Sequence, residues 1–100
     1  MTEVRYYHKG DRFRLRCEGH ATGNQDVCAA VSSLVYALAG FLGNRQGGST
    51  VVDRRDLKEG YAEILFTSRD RKVLGAWDMT LFGLKQLENS FGDYIRVKKV

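Results

Sequence analysis

Between Arg12 and Glu18 the chain alternates without a break: Arg12, Arg14, Arg16 and Glu18 face one way, Phe13, Leu15 and Cys17 the other. A period of two predicts a strand with one buried face and one wet, arginine-bearing face. Val4 to Lys9, with its valine and two tyrosines, predicts another strand, and Gly10-Asp11 between the two supplies a hairpin turn. After Asp26 the period changes. Val27, Val31, Leu34, Leu38 and Leu42 recur at helical spacing, with Asp26 as the expected N-cap and Gly40 and Gly43-Asn44 as the expected end. The opposite side of this helix carries Ala29, Ala30, Ser33, Tyr36, Ala37 and Phe41, so it is hardly polar. Such a helix is expected to be covered on more than one face, by the sheet and a second helix or by a dimer contact.

Arg45 to Ser49 reads as a loop. Thr50–Leu57 and Tyr61–Thr67 follow as two strands joined by Lys58-Glu59-Gly60. A second helix is expected from about Asp70 to Ser90, with Leu74, Trp77, Leu81, Leu84 and Leu87 on one face. Gly75 and Gly83 weaken it slightly and allow close packing. Gly92 ends it, and Tyr94 to Val97 predicts a last strand. The order β-β-α-β-β-α-β predicts an α+β domain, a mostly antiparallel sheet with two helices packed on it.

At 100 residues the chain supports one domain, residues 1–100, with too little length for two cores. Hydrophobic residues at 43% beside 28% charged ones place it with folded globular chains and exclude a disordered one. No apolar run is read as reaching membrane-span length, and Met1-Thr2-Glu3-Val4-Arg5 lacks a signal peptide's apolar core. No membrane partner and a cytoplasmic location are therefore expected, with Cys17 and Cys28 reduced. Two cysteines without a cluster of further ligands argue against a metal site, and no cofactor is expected. The net charge of +4 admits an acidic partner, but the basic residues are scattered, so nucleic acid is not the expected one.

The chemistry concentrates in Gly19-His20-Ala21-Thr22-Gly23-Asn24-Gln25-Asp26-Val27-Cys28-Ala29-Ala30-Val31-Ser32. Cys28 falls in the first turn of the first helix, where the positive end of the helix dipole favours thiolate. His20 stands eight residues upstream, and Gly23-Asn24 can reverse the chain to bring its imidazole over the sulfur as a proton acceptor. Backbone N–H groups at Asp26, Val27 and Cys28 could hold an oxyanion. Asp26 fits the cap better than the task of orienting the imidazole. Ser32 lies one turn after Cys28 on the same face, within reach of the site or of its own helix's carbonyls. The competing readings are a buried small hydrophobe for Cys28 and a polar loop residue for His20. Cys17, on an inward strand face, reads as core, and His8 as surface.

Gly19-His20-Ala21, a glycine, Asp26 and then Val27-Cys28-Ala29-Ala30-Val31-Ser32 resemble the Prp family of ribosomal-processing cysteine proteases. The resemblance extends to chain length and element order and is loose outside residues 19–32. It implies a cytoplasmic endopeptidase, often a homodimer, of Firmicutes-type bacteria and their phages. The implied substrate is a protein with a short hydrophobic N-terminal extension: a large-subunit ribosomal protein, or a phage capsid or scaffold protein. It also implies Cys28 as nucleophile and His20 as base, with Gly19, Asp26 and Ser32 at recurrent supporting positions. The chain departs from the pattern in its short loop, Thr22-Gly23-Asn24-Gln25, and in having Val27 alone between Asp26 and Cys28. It therefore resembles a divergent or phage-type member. The alternative expectation is a non-catalytic dimeric domain that binds a ribosomal protein or RNA through the Arg12, Arg14 and Arg16 face.

Overall fold

A computed structural model describes residues 1–21 and 23–100 of the chain. Five strands form one sheet in the order β3-β4-β2-β1-β5. They are β1 (Thr2–Lys9), β2 (Arg12–Glu18), β3 (Thr50–Lys58), β4 (Tyr61–Ser68) and β5 (Ile95–Lys99); α1 (Gln25–Arg45) follows β2 and α2 (Arg71–Ser90) follows β4. The sheet is mixed. Three of its pairings are antiparallel, and β5 lies parallel to β1, with Val4 opposite Val97.

The alternation along β2 is realised as expected. Phe13, Leu15 and Cys17 are buried, as are Ala62, Ile64 and Phe66 on β4 and Val4 on β1. Trp77 of α2 enters this layer edge-on to the stacked rings of Phe13 and Phe66, at centroid distances of 5.1 and 5.8 Å. Both helices pack on this apolar face and against each other. At their contact, a methyl group on Gly83 would stand 2.9 Å from the Leu34 side chain, the close approach its glycine permits; Gly75 meets nothing. The buried face of α2 includes Val73 in place of Leu74, which is half-buried like Leu87.

Three expectations are corrected. The N-cap of α1 is Asn24, whose side-chain oxygen accepts the Val27 N–H at 3.1 Å, and Asp26 lies inside the first turn. The helix does not stop at Gly40 or Gly43 but runs to Arg45, whose guanidinium bonds Asp70, the N-cap of α2. The apolar stretch is also longer than expected: α1 contains an 18-residue window of mean hydropathy 1.6, enough by length and composition to cross a membrane. Here Val27, Val31, Val35, Leu38, Ala39 and Leu42 turn inward, and Ala29, Ser33, Tyr36, Ala37 and Gly40 are exposed.

The arginine face of the sheet is the open one, and much of its charge is paired. Glu63 on β4 is 3% exposed and accepts hydrogen bonds from Arg14 and Arg54; Arg16 bonds Glu18. Arg14 first and Arg54 second hold the Glu63 carboxyl below the usual carboxylate range. The unfolded chain, with an ordinary glutamate near pKa 4.3, therefore takes up this proton more readily. The pair stabilises the fold above about pH 4, and that contribution is lost as pH falls through the lower folded value. Glu63→Gln should narrow the gap between urea midpoints at pH 7 and pH 3; an unchanged gap would rule out this origin of acid sensitivity.

Candidate active site

The end of β2, the start of β4 and the N-terminal turn of α1 meet at one end of the sheet. A pocket of about 420 Å³ opens there. Gly19 leaves β2 at φ +87, and a methyl group on it would stand 2.5 Å from the Met1 carbonyl oxygen. Only glycine fits both demands. Its N–H donates to the Gly60 carbonyl at 2.9 Å, and its own carbonyl accepts the Thr2 hydroxyl at 3.3 Å. The chain is thus pinned on both sides immediately before His20.

From Ala21 to Asn24 the backbone reverses, closed by the Asn24 N–H on the Ala21 carbonyl at 2.8 Å, with Gly23 at φ +90. The expected turn at Gly23-Asn24 is present; Thr22 lies outside the described residues. Beyond the reversal, His20, Cys28 and Ser32 line the same pocket with Gly19. Asp26 is exposed and does not line it.

Cys28 is half-buried, and its sulfur accepts the Ala21 N–H at 3.2 Å. Among the described residues, no hydrogen bond joins it to the exposed His20 imidazole. With Asn24 as the cap, Cys28 is the fourth helical residue. Its N–H donates to the Asn24 carbonyl at 3.4 Å, and the Val27 N–H to the Asn24 side chain. These two are therefore spent within the cap, not free for an oxyanion. Cys17 also lines the pocket, but it is 5% exposed and burial pushes its thiol up to about 12. His8 is at the surface, stacked on Phe13 at 4.0 Å.

Several lining residues had no signal in the sequence. The buried part of the lining is mostly apolar, with Cys17, Val31, Val35 and Ala62 beside Thr2, and Tyr36 and Tyr61 are more exposed. One wall is the β3–β4 turn, Lys58 to Tyr61. Lining by a distant hairpin follows from sheet order, which no local pattern carries. Among the described residues, no three His, Cys, Asp or Glu side chains converge to hold a metal ion.

The sequence matches the family profile for cysteine protease Prp over residues 1–96. A search of curated proteins finds no match. Among solved structures, the chain is similar to the essential ribosomal processing protease Prp of Staphylococcus aureus bound to a covalently linked product peptide. That likeness has a TM-score of 0.81 at 17% identity, with both chains covered completely. The same protease with a substrate peptide gives 0.77 at 17% identity, again over both whole chains. A Streptococcus mutans protein gives 0.76 at 22% identity, covering all of this chain and 94% of that one.

Proposed function

The chain belongs to the Prp cysteine protease family, and from that premise we propose that Cys28 is its nucleophile and His20 its general base. The observation that supports this is the pocket itself. It brings together the only cysteine outside the buried core and an exposed imidazole, with a mostly apolar buried lining. In this reading the imidazole takes the Cys28 proton as the sulfur attacks a peptide carbonyl. Collapse of the tetrahedral intermediate breaks the C–N bond, with the proton returned from His20 to the leaving amine. Water, deprotonated by the same imidazole, then hydrolyses the thioester and regenerates the thiol. The Ala21 N–H holds the sulfur in place throughout the resting state. Gly19 supports the site through its pinned backbone, and Ser32 as part of the wall; Asp26 belongs to the helix start.

The proposed substrate is a protein with a short hydrophobic N-terminal extension, either a large-subunit ribosomal protein or a phage capsid or scaffold protein. The mostly apolar lining suits a hydrophobic side chain next to the cut bond. A cytoplasmic homodimer is part of the same proposal, with the uncharged outer side of α1 as its contact. Light scattering at twice the 11.3 kDa chain mass would support the dimer, and a monomer would remove it.

The test is cleavage of a ribosomal protein carrying such an extension, read by intact mass, before and after iodoacetamide treatment of the enzyme. The untreated enzyme should remove the extension and the alkylated enzyme should not. Undiminished cleavage after complete alkylation of Cys28 would overturn the assignment.

A further inference from the structure

His20 bonds to no carboxylate among the described residues. The ring lies against Gly60, forty residues away at the tip of the β3–β4 hairpin. A methyl group built on Gly60 would stand 2.6 Å from Nε2, 3.2 Å from Cε1 and 3.3 Å from Cδ2 of His20. The imidazole thus occupies the space that any side chain at position 60 would fill. The same residue accepts the Gly19 N–H through its carbonyl at 2.9 Å, so it fixes the backbone entering His20 as well as the ring.

The hairpin tip is itself held. Lys58 pairs with Tyr61 across the turn, and Tyr61 with Glu18 of β2. The Tyr61 ring sits near two cations, the Arg16 guanidinium at 5.6 Å and the Lys58 ammonium at 5.3 Å from its centroid. A glycine on so well-anchored a turn is a fixed surface, not a yielding one.

We propose that Gly60 is the positioning residue for the His20 imidazole, a place where a third side chain is replaced by the absence of one. The proposal rests on the reading of His20 as the base. Two demands make position 60 a glycine: a backbone at φ +74 and the ring that covers its Cα. The first is common to several turns of this chain; a ring closer than 3 Å to the added methyl is found here alone among the described glycines, Gly23 meeting the Tyr94 ring only at 3.9 Å. That difference supplies a control. Gly10, in the β1–β2 turn, has φ +61 but would meet nothing within 4 Å if given a methyl group.

The experiment compares Gly60→Ala, Gly10→Ala and His20→Ala with the native protein. Its readouts are cleavage kinetics on the ribosomal precursor and the imidazole Hε1 resonances. Only two histidines are present, so His20→Ala assigns both signals. Gly60→Ala should lower kcat about ten- to a hundredfold, with KM within about twofold, because a misplaced base costs rate and not binding. It should shift the His20 resonance and leave that of His8. Gly10→Ala should change neither kcat nor His20. If Gly60→Ala does not fold, Gly60→Asn repeats the steric test with a residue that tolerates the left-handed region. Native kcat in the folded Gly60 variant, an unmoved His20 resonance, or an equal loss in Gly10→Ala would each overturn the proposal. Undiminished cleavage by His20→Ala would instead overturn the base assignment beneath it.

Discussion

Cys28→Ala is expected to abolish peptide cleavage while leaving the urea midpoint close to that of the native chain. The residue is half-buried in the first turns of α1, and its sulfur has one hydrogen-bond partner, the Ala21 N–H. Alanine keeps the helix and removes a single atom at the edge of the core. The chemistry has no second thiol to fall back on. Cys17 is enclosed between the sheet and α1, and with its thiol pushed up to about 12 it stays protonated at neutral pH. A protonated, inaccessible thiol is a poor nucleophile. Cys17→Ala should therefore still cleave, and iodoacetamide should modify one cysteine in the native chain and two in denaturant. Cleavage by Cys28→Ala, read by intact mass, would refute the nucleophile; a folded but inactive Cys17→Ala would move it.

What sequence reading recovers here follows from how local each cause is. The period-two run Arg12–Glu18 and the helical spacing from Val27 both repeat over short distances, so their elements and inward faces could be named in advance. The start of α1 is a closer contest. Asn24 and Asp26 both have capping side chains, and what decides it is the reversal closed by the Asn24 N–H on Ala21. That moves the helix start two residues back and spends the Cys28 N–H. The far end of α1 is decided by Arg45 reaching Asp70, a partner 25 residues on, against which two internal glycines weigh little. The parallel pairing of β5 with β1 joins the two ends of the chain, where no periodicity can reach.

The site divides along the same line. His20 and Cys28 are eight residues apart, and the turn between them is written in Gly23-Asn24, so their convergence on one pocket was legible. Gly60 was not. In a two-residue hairpin turn a glycine is explained by the turn alone, and its contact with His20 exists only once β4 lies beside β2.

Trp77→Ala is expected to cost about 3–5 kcal/mol, the range for removing a large aromatic side chain from a core. Against a total of about 5–15 kcal/mol for a domain of this kind, that is between about a fifth and the whole of it. Trp77 is 1% exposed, and its indole meets Phe13, Phe66 and, at 6.4 Å, both Tyr6 and His8. These rings come from β1, β2 and β4, so one side chain of α2 ties the helix to the three central strands. The thermal midpoint by circular dichroism should fall by at least about 12 °C, at roughly 4–8 °C per kcal/mol for a domain of this size. Trp77→Phe keeps a ring in the cluster and should lose much less. Phe13 lies at the start of β2 and Gly19 just beyond its end, about 20 Å along an extended strand. Cleavage by the alanine variant should therefore persist below its lowered midpoint and vanish only with the fold. A midpoint within 3 °C of the native value would show that this aromatic cluster does not hold the two layers together.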